Sequence, residues 1–164
     1  MSQDRSPTSA RAGAFPRKTW IFQANPNKYR IKQSLQIERA EYWNLNQHAQ
    51  DVGIGDRILL WISGSAAGIY AVGTVLTSPV PMPDSATGLA YWQDPLAGRR
   101  IKPRVLVRYD HVFLNQPLRK AYLEADPELW DLRILRLPRG TNFVVSDDQW
   151  RALEGWLLGT AYQP

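Results

Sequence analysis

One stretch at the centre of the chain decides the fold: GDRILLWISG, at residues 55–64. Within it, Arg57–Ile62 carries five consecutive apolar residues, as expected for a strand that is buried on both faces of a sheet. Residues 63–65 then predict a turn, and Gly68–Leu76 predicts a returning strand. We therefore expect a hairpin in the middle of the sheet.

Weaker patterns on either side of this hairpin predict the remaining elements. Further strands are expected at Thr19–Asn25, Arg104–Tyr109, Leu132–Leu137 and Thr141–Val145. Short helical pieces are expected near 31–36, 47–52 and 125–132, and a long proline-rich loop at 77–103.

The clearest helix follows Ser146, with Gln149 completing a capping box and Gly159 beyond the end. The elements predict a mixed α/β (α+β) domain. We expect a curled sheet or small open barrel of five to six strands with short flanking helices.

Composition limits the kinds of site that this chain can carry. The 164 residues contain no cysteine and only two histidines, which excludes thiolate metal sites and a His-only zinc site. We predict no metal and no cofactor. The first eighteen residues lack an apolar stretch long enough for a signal peptide or membrane span, so we expect a cytoplasmic protein without a membrane partner.

Residues 1–18 are predicted to form a disordered basic arm in front of a domain at 19–160. Four basic residues against one aspartate give this arm +3 of the chain's net formal charge of +5. Two interpretations stay open: the arm binds phosphates through counterion release, or it is a solvated leader.

No arrangement of residues indicates catalysis. Ser63 and Ser65 flank a glycine but lack the Gly-x-Ser-x-Gly turn of a hydrolase nucleophile. Most acidic residues fall in predicted caps and turns, where they satisfy local backbone groups. We therefore predict a protein that is not an enzyme.

Six short stretches stand out by their order and spacing. They are WIFQANP at 20–26 followed by Tyr29, Trp43, Gly55-Asp56, LWISG at 60–64, AGIYAVG at 67–73, and RGTNF at 139–143 followed by the Trp150 helix. Together they resemble the EVE domain, a branch of the PUA-like superfamily related to the YTH domain.

The resemblance implies a PUA-like pseudo-barrel that recognises modified bases in nucleic acid. Methylcytosine and hydroxymethylcytosine in DNA are the best-known ligands of the family, so DNA is expected before RNA. Relatives are fused to restriction nucleases, so any cutting activity here would come from a separate nuclease or effector protein.

A reader of one flipped-out base needs flat aromatic walls and a few polar groups for the base edge. We expect walls from Trp43, Trp61 and Trp92, the last by analogy with the YTH cage. The candidate edge readers are Gln23, Asn25, Ser63 and Asn142. The candidate phosphate-binding residues are Arg99, Arg100, Lys102 and Arg139.

Each assignment has a structural alternative. Trp61 could be core, Trp92 could cover the barrel end, and the amides could satisfy backbone groups at a strand end or turn. Other functions also stay open: an RNA-binding PUA-like module, an ASCH-like hydrolase acting on a modified nucleoside with Asp56 or Glu41 as its base, or a protein-interaction domain that has lost its ligand.

Overall fold

The computed structural model describes residues 17–161. In this part of the chain an eight-stranded sheet curls into a half-barrel. Its strands are β1 Thr19–Ala24, β2 Ala40–Asn44, β3 Arg57–Ile62, β4 Gly68–Val75, β5 Val80–Met82, β6 Lys102–Val112, β7 Leu118–Arg119 and β8 Asn142–Val145.

The predicted hairpin lies in the middle of this sheet. The strand order is β2-β6-β4-β3-β1-β8, with β5 paired to β6 and β7 paired to β4. β1 and β3 run parallel, while the other pairs are antiparallel. The register shifts between Leu60 and Trp61 and between Val72 and Gly73. Such irregularities bend strands, which is what a curled sheet requires.

Within the described residues, six helices flank the sheet. They are α1 Ile31–Ile37, α2 Ala86–Leu89, α3 Pro95–Arg99, α4 Lys120–Ala125, α5 Arg133–Arg136 and α6 Asp147–Ala161. The capping box of α6 is confirmed: the Gln149 amide donates to Ser146 Oγ, and the Ser146 amide donates to Gln149 Oε1. No helix within residues 17–161 is long and apolar enough to cross a membrane.

The sheet separates two hydrophobic cores. Ile58, Leu60 and Ile62 face the inside of the half-barrel, whereas Leu59 and Trp61 face outward. The outer core is completed by Leu153 and Leu157 of α6 and by residues of the helices before it. β3 is therefore buried on both faces, as its continuous apolar composition indicates.

The Asn142 side chain joins the two edge strands of the sheet, and the side chains of Asn46 and Gln47 add hydrogen bonds to residues 141 and 142. Asn142 at the start of β8 accepts from the backbone amides of Asn46 and Gln47, which follow β2. Its amide donates to the carbonyl oxygen of Asn44, the last residue of β2. These bonds hold the sheet closed at the end where β2 stops and β8 begins.

Several predicted elements are wrong. A strand is predicted at 132–137, but Arg133–Arg136 form α5; a four-residue helix is too short for helical periodicity to show in the sequence. Residues 47–52 form turns, with His48 at a φ of 59°, rather than a helical piece. α6 continues past Gly159, and α4 begins five residues before the expected helical turn.

The sheet also has more strands than the five to six predicted. β2 was not predicted because Glu41 interrupts its apolar side. The expected loop at 77–103 contains β5, α2 and α3. The predicted basic arm lies outside the described residues except for Arg17 and Lys18, and the Lys18 carbonyl oxygen accepts from the Arg57 amide.

Candidate functional site

A cavity of about 570 Å³ opens at the end of the half-barrel where β1 and β3 stop. Its walls come from the ends of β1 and β2, the start of β6, the segment that carries α2 and α3, and the turn at 138–141. This volume is within the range of pockets that hold a small organic ligand.

Two indole rings line the cavity from different elements. Trp43 in β2 is 8% exposed, packs against Phe22 with the ring centroids 6.0 Å apart, and donates from Nε1 to the Tyr109 hydroxyl at 3.0 Å. Trp92 approaches from the segment between α2 and α3. Each ring is thus held by partners of its own and offers the remaining surface to the cavity.

Trp92 is fixed by four contacts. Its Nε1 donates to Asp84 Oδ2 at 2.7 Å, and its ring packs edge-on against Tyr29 at 5.4 Å. Gly98 lies so close that a Cβ there would be 2.6 Å from the indole. Trp92 also pairs with Tyr29 through an isolated backbone bridge. The segment that carries α2 and α3 is therefore joined to the barrel, and Trp92 is positioned before any ligand arrives.

A buried carboxylate also lines the cavity. Glu41 in β2 is 7% exposed and accepts hydrogen bonds from the hydroxyls of Tyr29 at 2.6 Å, Ser34 at 3.1 Å and Tyr109. Burial raises the pKa of Glu41, although these hydrogen bonds oppose the effect. Burial and the nearby Glu41 in turn raise the pKa of Tyr29, so its hydroxyl is a neutral donor.

Three predicted edge readers, at the ends of β1 and β3, line the cavity but already bond to the backbone. Gln23 Nε2 donates to the carbonyl oxygens of Pro138 and Gly140, at 3.0 and 2.8 Å. Asn25 Oδ1 accepts from the Asn27 amide, and Ser63 Oγ donates to the Ala24 carbonyl at 3.3 Å. Gln23 thus fixes the turn at 138–141, in which Gly140 has a φ of 119°.

Cations collect on one side of the cavity. Lys28, Arg100 and Lys102 all line it, and Lys102 Nζ donates to Asn46 Oδ1 at 3.1 Å. Partial burial and repulsion from the nearby cations, including Arg100 and Lys28, lower the pKa of Lys102. An anion such as a phosphate would relieve this repulsion.

Four of the predicted site residues do not line the cavity. Trp61 is 3% exposed and belongs to the outer core, because the two-residue period of β3 turns it away from the side of Leu60 and Ile62. Asn142 is 3% exposed and serves as the clasp between the edge strands. Arg99 and Arg139 are exposed beside lining residues without being part of the lining.

Of the two candidate catalytic acids, Glu41 lines the cavity and Asp56 does not. Asp56 precedes β3 at the opposite end of the barrel, where it accepts from Trp20 Nε1 at 2.9 Å and from the Gly53 amide. Glu41 does line the cavity, yet hydroxyl donors occupy both of its oxygens. Within residues 17–161 no group of three or more His, Cys, Asp or Glu side chains could hold a metal ion.

Sequence reasoning missed Tyr29 and Asp84 as parts of the site, and it grouped Arg104 with Arg99, Arg100 and Lys102 as a basic cluster that is either solvated or in contact with phosphate. Tyr29, Asp84 and Arg104 all line the cavity, and Arg104 is only 1% exposed. Its guanidinium donates to the carbonyl oxygens of Met82, Gly98 and Arg100 and to the Asn44 side chain. The one signal in the sequence was a basic residue at a strand position between apolar neighbours.

Comparison with known proteins places this geometry in context. A family model described as the EVE domain matches residues 18–155. No curated protein matches the sequence. The matched span includes all eight strands and the cavity that they form.

Solved structures share the fold at low sequence identity. A hypothetical protein from Leishmania major is 14% identical with a TM-score of 0.67, covering 89% of this chain and 98% of its own. Human THYN1, solved in complex with 5-methylcytosine-containing DNA, is 12% identical with a TM-score of 0.63, covering 90% and 99%.

A more distant likeness is the YTH domain of Zygosaccharomyces rouxii MRB1, solved in complex with N6-methyladenosine RNA. The two sequences are 11% identical and the TM-score is 0.52. The superposition covers 90% of this chain and 87% of the YTH domain chain. These likenesses show that the mixed α/β architecture described above is the PUA-like fold.

Proposed function

The chain belongs to the EVE domain family, and on this basis we propose that it is a binding module for one modified base flipped out of a nucleic-acid strand. The base would enter the cavity lined by Trp43 and Trp92. The observation that carries the proposal is the convergence of these two fixed indoles with polar and cationic side chains on one hollow.

The chemistry of the cavity suits a planar heterocycle with a polar edge. Aromatic faces stack on any base, and each stacking contact contributes about 1 to 3 kcal/mol. Stacking on the two indoles therefore offsets the cost of unstacking the base, which is about 2 to 4 kcal/mol. The Asn25 amide nitrogen can still donate and the Ser63 oxygen can still accept, although Asn25 Oδ1 and the Ser63 hydroxyl proton already bond to the backbone.

We propose methylated or hydroxymethylated cytosine in DNA as the ligand. Support comes from family membership and from human THYN1, whose structure holds 5-methylcytosine-containing DNA. The YTH relative holds a methylated RNA, so RNA is the alternative that binding assays must include. The module reads rather than cuts, and any cleavage would be the task of a separate nuclease or effector protein.

The test is a binding assay by fluorescence anisotropy. Otherwise identical DNA oligonucleotides would carry one cytosine, 5-methylcytosine or 5-hydroxymethylcytosine, and an RNA arm would carry N6-methyladenosine. We expect tighter binding to a modified DNA. Trp43→Ala should weaken it by about 1 to 3 kcal/mol because one stacking wall is lost, and Trp43→Phe, which preserves more packing, should weaken it less.

The matched control is Trp130→Ala, since Trp130 is 48% exposed and does not line the cavity. Thermal unfolding would confirm that each variant is folded. Equal affinity for modified and unmodified oligonucleotides, with no effect of either Trp43 substitution, would contradict the proposal.

A further inference from the structure

Ile101 is the most exposed large hydrophobic side chain among residues 17–161, at 73%. Its chain neighbours, Arg100 and Lys102, both line the cavity. An apolar side chain therefore projects into solvent beside the cavity mouth, between two cations. Isolated exposed apolar residues are common on proteins, so the meaning of Ile101 depends on this position and on how its backbone is held.

The backbone just before Ile101 is held by hydrogen bonds from a buried arginine. Arg104, two residues beyond the flanking Lys102, donates to the Arg100 carbonyl oxygen at 3.1 Å and to the Gly98 carbonyl oxygen at 3.2 Å. Arg100 itself ends α3 in an extended conformation. Since Arg104 is buried, these bonds anchor the segment before Ile101 to the interior of the protein.

Resting on the proposed function, we propose that Ile101 is a wedge that enters the base stack of a duplex when the modified base leaves it. Removing one base opens a gap between its neighbours, and proteins fill such gaps with apolar side chains. Charge complementarity supports this partner, because Arg100 and Lys102 would face the phosphates on either side. The ligand is thus inferred to be double-stranded.

Comparing a duplex with a single strand isolates this role. In a single strand no stack has to be opened beside the flipped base, so a wedge contributes nothing. Ile101→Ala should weaken binding to a duplex with one 5-methylcytosine by roughly tenfold, because unstacking is then less well compensated. Binding to the single strand of the same sequence should stay within about twofold, and Ile101→Leu should restore duplex binding.

Ile54→Ala is the matched control. Ile54 is 66% exposed in the turn before β3, at the end of the barrel opposite the cavity. Ile54→Ala should leave the affinities for the duplex and for the single strand unchanged. Because Ile54 and Ile101 are both exposed, neither substitution should lower the unfolding temperature, and thermal unfolding checks this.

The outcomes separate the wedge from the pocket. Equal losses on duplex and single strand, or no loss on duplex, would overturn the wedge while leaving the reader intact. If wild-type protein shows no preference for 5-methylcytosine in either form and Trp43→Ala changes nothing, the proposed function itself fails and the wedge falls with it. A loss confined to the duplex and restored by leucine supports both.

Discussion

At the scale of single residues, Glu41 has the most unusual chemistry. The side chain is 7% exposed, accepts from three hydroxyl groups and lines the cavity. Burial raises its pKa above the ordinary 4.5. Between 4.5 and the raised pKa, the folded protein holds a proton at Glu41 that the unfolded chain has released.

This difference predicts a pH dependence of stability. The contribution of Glu41 to the free energy of unfolding is complete below pH 4.5. It is lost as the pH rises through the raised pKa, by up to about 1.4 kcal/mol per pH unit. Chemical denaturation at a series of pH values, in wild-type protein and in Glu41→Gln, would measure it.

Glutamine keeps the size and an acceptor but cannot titrate in this range, so the wild-type curve should fall more steeply with pH than that of the variant. Parallel curves would show that Glu41 has the same pKa in the folded and unfolded chain.

The tryptophans show what residue-level reasoning could predict. Trp43 and Trp92 line the cavity as expected, but Trp61 does not. Alternation within β3 is sufficient to place Trp61 on the same face as Leu59. Which face meets the cavity was not visible, because that depends on how the whole sheet curls. Tyr29 and Asp84 position Trp92, but no sequence pattern links them to it. They were missed because their contacts with Trp92 also depend on how the whole chain folds.

At the scale of elements, the edge strands β2 and β8 depend on Asn142. Its three hydrogen bonds to the backbone at Asn44, Asn46 and Gln47 are 2.9 to 3.2 Å long. Asn142→Ala would leave backbone groups without partners, each costing about 1 to 3 kcal/mol where buried. We expect the free energy of unfolding to fall by about 2 to 4 kcal/mol in chemical denaturation.

Asn115→Ala is the comparison, because Asn115 is exposed in the connection between β6 and β7. The free energy of unfolding of Asn115→Ala should stay within about 0.5 kcal/mol of wild type. If the free energy of unfolding of Asn142→Ala also stayed within this range, the hydrogen bonds of the Asn142 side chain would contribute nothing to stability.

Long and uniform elements were predictable, whereas short and mixed ones were not. β3, β4 and α6 have the apolar run, the turn residues or the cap that define them. β2 carries a glutamate at a buried position, where an apolar residue is expected. The sequence does not show the hydroxyl groups that make the burial of Glu41 possible. α5 has four residues, too few for a period to appear. The cavity is built largely from such elements, and for this reason its lining was only partly foreseen.

At the scale of the whole molecule, the distribution of charge limits how the protein can hold nucleic acid. Most of the net charge of +5 comes from residues 1–18, so the rest of the chain is only mildly basic. Of the four cations that line the cavity, Arg104 is buried, and only Lys28, Arg100 and Lys102 are exposed enough to meet phosphates. Specificity should therefore come mainly from the cavity and only modestly from electrostatic attraction.

The salt dependence of binding measures this balance. Each neutralised phosphate contributes about −0.9 to the slope of log K against log salt for duplex DNA, so contacts by two or three cations predict a slope of about −2 to −3. Arg100→Gln should make the slope shallower by about 1. Arg151→Gln on α6, where Arg151 is 76% exposed and away from the cavity, should not change it. A slope near −6, unchanged by Arg100→Gln, would mean that phosphates bind elsewhere on the chain.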